Sequence, residues 1–256
     1  MSEAPLKVWL EREGALLRLR LARPKANIID QAMIAALATA FAEHRPGRGL
    51  LAALLDAEGP HFSFGASVEE HLPGRCAQML GTLHALILQM LEWPLPILVA
   101  VRGQCLGGGL EVAMAGSLIF AGSDAKLGQP EIQLGVFAPA ASCLLPPRIG
   151  QAAAEDLLLS GRSVDAAEAK TLGLVRAVAA DPESTALEYF DHHFAGKSAA
   201  ALGCAVAAAR GGYLPQMRRR LHEVEQLYLQ GLMSTRDANE GLQAFLAKRA
   251  PRWEHC

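Results

Sequence analysis

The apolar and polar positions of this chain fall into short runs separated by glycine, proline and charge. "KVWLER" and "LLRLRLAR" alternate on either side of Glu13 and Gly14, which predicts a β-hairpin with its turn there. Asp30 precedes "QAMIAALATAFAEH", where apolar residues recur at helical spacing, so Asp30 is expected to cap a helix. "LLAALLD" (residues 50–56) and "PILVAV" (96–101) are continuous apolar runs, as strands covered on both faces require. Residues 76–93 between them read as a long amphipathic helix that stops before Pro94. Gly103 ends the second run. "LEVAMAG" then suits a buried helix, and "SLIFAG" and "AKLG" suit strands. Strand and helix alternate, which predicts an α/β fold with buried parallel strands.

From Pro139 the pattern turns helical. "ASCLLPPRIGQAAAEDLLLSG" carries a Pro-Pro break, "LGLVRAV" reads as one further strand, and helices follow to the end. They include "LPQMRRRLHEVEQLYLQGL" and "DANEGLQAFLAKRA", and no internal repeat intervenes. The expected organisation is a core over residues 1–195 and a helical region over 196–256.

Composition narrows the class. A chain of 256 residues can bury a sizeable single core. The net charge of −2 leaves no basic surplus for nucleic acid, and "MRRR" (217–220) reads as a solvated or interface face of a helix. The five cysteines include no C-x-x-C pair, so they read as reduced thiols packed as small hydrophobes. The charged, strand-like start lacks the apolar core of a secretory signal, and no apolar stretch approaches ~18 residues. A cytoplasmic protein without a membrane span is expected. The histidines, His61 and the pair His192 and His193 among them, lack metal-ligand spacing, so no metal is expected.

The chemistry concentrates in "GQCLGGGLEVAMAG" (103–116). Glycines after a buried strand permit close backbone approach, and the helix behind them points free N–H groups and a partial positive charge at its mouth. The Lys-Ser/Thr ending of a P-loop is missing, and the G-x-G-x-x-G spacing of a dinucleotide site is absent. Glu111 lies inside this apolar run, where an unpaired carboxylate is costly. "LGQPEIQLG" places Glu131 on a turn 20 residues later. An intervening strand–turn excursion allows both carboxylates to face one cavity and divide general-base and general-acid work. "HFSFGAS" (61–67) adds a glycine loop that can offer a second backbone N–H to the same oxygen.

These segments occur in the order found in the crotonase, or enoyl-CoA hydratase/isomerase, superfamily, which the chain resembles along nearly its whole length. "ARPKANIID", "HFSFGASVEE", "AVRGQCLGGGLEVAMAGSLIFAGSDAKLGQPEIQLG" and "AFLAKRAPRW" carry the resemblance. It implies a spiral of β-β-α units with C-terminal trimerising helices, assembled as a trimer or dimer of trimers, and an acyl-CoA thioester substrate. Coenzyme A would be part of that substrate, with no separate cofactor. The resemblance assigns the oxyanion N–H groups to Ala66 and Gly108, and the catalytic carboxylates to Glu111 and Glu131. It assigns substrate and CoA contacts to Lys25, Ala26 and Asn27, to Phe64 and Gly65, and to Leu106 and Gly107. Pro130, Ala138, Pro139 and Lys248 complete the set, with Arg249 an alternative to Lys248 for the CoA phosphates.

The chain departs from the family where a glycine-rich turn usually follows the second glutamate. Here "GVFAPAASCLLPPRIG" substitutes alanines and Pro139. Added methyls and a rigid proline reshape the acyl side of the pocket. "GASVEE" likewise stands where "GADIKE" is common, so Ser67 and Glu69 replace an acid and a lysine. With these departures the chain is most similar to the members that hydrate a cyclic conjugated dienoyl-CoA, with 2-enoyl-CoA or cyclohexenoyl-CoA hydration as alternatives. A non-catalytic acyl-CoA- or RNA-binding homologue is the alternative of another class.

Overall fold

A computed structural model describes residues 4–45, 47 and 49–256. The hairpin forms as expected: β1 (Leu6–Glu11) pairs antiparallel with β2 (Leu16–Leu21), and Arg12, Glu13 and Gly14 all take positive φ in the turn. Helix α1 (Gln31–Glu43) begins at Asp30, whose side chain accepts the Met33 N–H. The continuous apolar runs become β3 (Ala52–Ala57) and β4 (Ile97–Val101), joined by α2 (Cys76–Glu92). Every residue of both strands is buried, as strands covered on both faces must be.

The main sheet has the order β1-β2-β3-β4-β6-β9, parallel from β2 onward, with β6 at Leu118–Gly122 and β9 at Ala177–Ala179. A second sheet holds β5 (Gln104–Leu106), β7 (Lys126–Gly128) and β8 (Ser163–Asp165). β5 and β8 are three residues each, too short to leave a periodic signal. The predicted strand "LGLVRAV" is mostly loop. Gly173, at positive φ, turns the chain after α7 (Ala166–Thr171), and only the last two residues of the run, Ala177 and Val178, pair with β6. Leu174 and Val175 are buried as loop residues instead.

Alternation along β2 would leave Arg18 and Arg20 facing water. Helix α8 (Pro182–His193) covers that face, and Arg18 is buried at 2% exposure. Its guanidinium donates to Glu11, Asp56 and Glu183, while Arg20 donates to Asp56 and Glu183, so the buried charges are paired.

The glutamate-bearing segments sit where the sheets meet. α3 (Gly108–Ala115) follows β5 directly, and the turn that carries Glu131 (Pro130–Leu134) follows β7. Helices α4 (Pro139–Leu144), α5 (Pro146–Ile149) and α6 (Gln151–Ser160) come next. The C-terminal helices are α9 (Ala199–Arg210), α10 (Tyr213–Gln226) and α11 (Arg236–Leu246). Met217 and Leu221 of α10 and Leu242 of α11 join the same apolar core as β3 and β4. Of the cysteines, Cys76, Cys105 and Cys143 are buried, whereas Cys204 and Cys256, also expected to be packed, are exposed: one lies on α9, which buries no residue fully, the other at the tail. Among the described residues, no helix is long and apolar enough to cross a membrane.

Candidate active site

Three glycines set the geometry. Gly107, at φ +49°, lets the chain leave β5 and enter α3, and its N–H donates to Gly128 O, which ties β5 to β7. Gly65, at φ +107°, turns the 61–67 loop against it: a methyl there would stand 3.2 Å from Leu106 O and 3.6 Å from Gly108 N. Ser63 holds that loop, its hydroxyl donating to Asn27 O and accepting the Gly65 N–H. Ala66 N and Gly108 N thus come close together. A methyl added at Gly108 would lie 3.1 Å from Ala66 N. Neither N–H donates to a protein acceptor among the described residues. Two unspent donors side by side, one at a helix N-terminus, suit an oxygen that becomes negative.

Glu111 stands one turn into α3 and is buried at 3% exposure. Its Oε1 accepts the Ala141 N–H at 2.8 Å, so the start of α4 fixes the carboxylate. Glu131 lies against the glycines, with Oε1 2.6 Å from where a Gly107 methyl would be. Burial raises the Glu111 carboxyl above its ordinary range, against the opposing pull of the Ala141 and Ala140 N–H groups. Burial, reinforced by the charge of Glu111, raises Glu131 as well. A pair that shares one field in this way takes up and releases protons near neutrality as a unit.

Glu131 lines a cleft of about 250 Å³ together with Phe64, Gly65, Ala66, Leu106, Gly107 and Pro130. Seven candidate residues from three distant segments therefore meet in one place. Gly108 abuts it through Ala66, and Glu111 lies deeper. Ala138 and Pro139 are buried at the start of α4, on the Glu111 side, and do not border the cleft. Asn27 is fully buried, and its amide is used internally: it accepts the Arg23 N–H and donates to Glu58 O and His61 O. Ala26 O accepts the Phe64 N–H, which joins this loop to the cleft wall. Lys25 and Lys248 are exposed and lie outside the lining.

Other residues of the site are not evident from sequence. Leu242 and Phe245 of α11 line the cleft from the far end of the chain. Gly241 allows this approach, since a methyl there would overlap Leu134 O at 2.0 Å. The helical spacing of α11 reveals an apolar face but not what it covers. His71 also lines the cleft. Its Nδ1 bonds Ser67 O at 2.7 Å, and burial lowers its pKa, which keeps the ring neutral. Gln129 is buried behind Glu131, and with its NH2 turned to the carboxylate it donates to both oxygens at 3.1 Å. A polar residue ending a buried strand was its only signal. His61 accepts the Gln104 N–H and packs edge-on against Phe64, a satisfied loop histidine.

Burial raises the thiol pKa of Cys105, and that of Cys143 to about 11, so neither supplies a thiolate nucleophile. Among the described residues no cluster of three His, Cys, Asp or Glu is placed to hold a metal. The arrangement is that of an acid–base pair beside a pair of backbone donors.

The sequence model of enoyl-CoA hydratase/isomerase matches residues 11–255. Cyclohexa-1,5-dienecarbonyl-CoA hydratase of Thauera aromatica is 65% identical over 257 residues, covering 100% of both chains. A probable enoyl-CoA hydratase of Bacillus subtilis (strain 168) is 32% identical, over 92% of this chain and 94% of its own. Among solved structures, an enoyl-CoA hydratase from Mycobacterium avium superposes with TM-score 0.87 at 23% identity, covering 98% of this chain and 100% of that one. An enoyl-CoA hydratase/isomerase from Pseudoalteromonas atlantica T6c gives 0.83 at 27%, covering 97% and 99%.

Proposed function

The chain belongs to the enoyl-CoA hydratase/isomerase family, and from that premise we propose that it adds water to cyclohexa-1,5-diene-1-carbonyl-CoA, giving 6-hydroxycyclohex-1-ene-1-carbonyl-CoA. Full-length identity of 65% to the Thauera hydratase carries the choice of substrate. The chemistry is supported by the buried glutamate pair beside two unspent N–H groups.

In this reading water sits between Glu111 and Glu131. One carboxylate takes its proton as the oxygen attacks the ring carbon β to the thioester. The electron pair moves onto the thioester oxygen, where the Ala66 and Gly108 N–H groups meet it. Because the second ring double bond is conjugated, charge also reaches the far vinylogous carbon. Protonation there completes a 1,4-addition and leaves the remaining double bond conjugated with the thioester. Raised carboxyl pKa values suit both halves of the step, since a group titrating near neutrality can accept and return a proton. Ala138 and Pro139 act through α4, which seats Glu111 and shapes the acyl side. Lys25, Ala26 and Lys248 are assigned to the CoA portion. The reaction fits anaerobic breakdown of aromatic acids through benzoyl-CoA. A cytoplasmic trimer or dimer of trimers, with coenzyme A entering only as part of the substrate, completes the proposal.

The test is turnover of the cyclic dienoyl-CoA and of crotonyl-CoA, with products identified by mass. A strong preference for the cyclic ester is expected. Preference for crotonyl-CoA would instead make the protein a 2-enoyl-CoA hydratase. Glu111→Gln and Glu131→Gln are each expected to lose nearly all activity, and near-wild-type turnover by either would refute the two-glutamate scheme.

A further inference from the structure

Beyond the glutamates and the glycine loops, a large buried side chain carries a polar atom without a partner among the described residues. Tyr228 is fully buried, and among the described residues its hydroxyl meets no hydrogen-bond partner. An unpaired buried hydroxyl is costly, and phenylalanine would fill the same space without that cost. The residue lies on a π-turn, Leu227–Gly231, that continues α10 with a wider winding. Such turns cost helix geometry and redirect a side chain. The turn is held in place one helical turn earlier, where Glu225 meets His84 Nδ1 of α2 at 2.6 Å.

The Tyr228 ring packs edge-on against Phe137, with centroids 5.3 Å apart. Phe137 lies along the chain between Glu131 and Ala141, the residue whose N–H seats Glu111. Val136 before it lines the cleft, and Ala141 after it holds Glu111. Burial, reinforced by the fields of Cys76, Glu131 and Glu111, raises the phenol pKa, so the hydroxyl keeps its proton.

We propose that Tyr228 is a third hydrogen-bonding residue of the hydration site, its O–H donating to the water oxygen held between Glu111 and Glu131. This rests on the hydration reading above. A water that gives its two protons to two carboxylates has two lone pairs left. One must point at the β carbon, and a donor on the other fixes that direction. A protonated phenol packed against the segment that links Glu131 to Ala141 fills this need, whereas a donor that ionises near neutrality would compete for the transferred proton.

The experiment compares wild type with Tyr228→Phe on both the cyclic dienoyl-CoA and crotonyl-CoA. Losing one hydrogen bond to a reacting group is expected to lower kcat about ten- to hundredfold, with KM changed less than about threefold. Thermal stability should change little, because among the described residues the hydroxyl bonds no protein group. A purely packing tyrosine would leave kcat untouched, so kcat within twofold of wild type on the preferred ester overturns the inference. A fall in kcat together with a large drop in melting temperature also overturns it, since the hydroxyl would then be structural. If wild type hydrates only crotonyl-CoA, the ring reading fails while the Tyr228 comparison still decides on that ester. A wild type inert toward both esters overturns the hydration reading and the inference together.

Discussion

Gly108 and Gly109 are adjacent, yet one methyl at each should have opposite consequences. At Gly108 the added carbon would lie 3.0 Å from Ala66 Cβ and 3.1 Å from Ala66 N. These contacts ask the loop to give by only tenths of an ångström. The methyl nevertheless occupies the space in front of the Ala66 donor, where a thioester oxygen needs about 2.7–3.1 Å. Gly108→Ala should therefore lose at least one oxyanion contact, about 10²–10³ in kcat, while shifting the melting temperature by a few degrees at most. At Gly109 the carbon would meet Ser63 Cβ at 2.5 Å and Ser63 Oγ at 2.6 Å. Ser63 Oγ already bonds Asn27 O and Gly65 N, so it cannot move aside freely. Overpacking of that kind costs about 1–3 kcal/mol, which for a chain of this size lowers the melting temperature by about 2–12 °C. Circular-dichroism melts and steady-state kinetics on the preferred ester separate the two. Gly108→Ala with kcat within threefold of wild type would refute the placement of the thioester oxygen between Ala66 N and Gly108 N.

Other substitutions probe the rest of the site. Burial raises the Glu111 carboxyl in the folded state, so its contribution is fully present below the unfolded value of about 4.3 and is lost as pH rises through the folded value. Glu111→Gln should thus be more stable relative to wild type at pH 8 than at pH 5, and a pH-independent difference in denaturant midpoints would contradict this. Gln129→Leu removes the donors facing Glu131, which should raise that carboxyl further and move the pH–rate profile upward with about a tenfold loss in kcat. An unmoved profile would mean Gln129 only packs. Phe245, half-exposed on the cleft wall, should affect binding more than folding: Phe245→Ala is expected to raise KM for the CoA ester about three- to tenfold with little change in melting temperature. Unchanged KM would place Phe245 outside the substrate's path.

Much of this was legible in sequence because the responsible residues carry local signals. Asp30 caps its helix, the apolar runs at 52–57 and 97–101 form the sheet centre, and Gly107 turns the chain as its neighbours require. Glu111 stood out because a carboxylate inside "GGLEVAMAG" breaks the apolar pattern. What escaped depends on contacts between distant segments. β5 and β8 exist only because β7 lies between them. Arg18 becomes buried only because α8 brings Glu183 over β2. Leu242 and Phe245 join the cleft through a helix whose own spacing shows only that it has an apolar face. Asn27 resembles a CoA-contacting position, yet its amide is spent on Glu58 and His61.

The wall that α11 contributes ties the site to the order in which the chain is made. Phe64, Gly65 and Ala66 leave the ribosome long before Leu242 and Phe245, and the glycines and both glutamates emerge in between. The acid–base pair and its donors can assemble on the nascent sheet while the cleft still lacks one side. Closing it waits for a contact spanning most of the chain, the slowest kind to form. A partly synthesised chain would therefore hold its carboxylates in an open groove, and confinement of the substrate would arrive last, with the final helix.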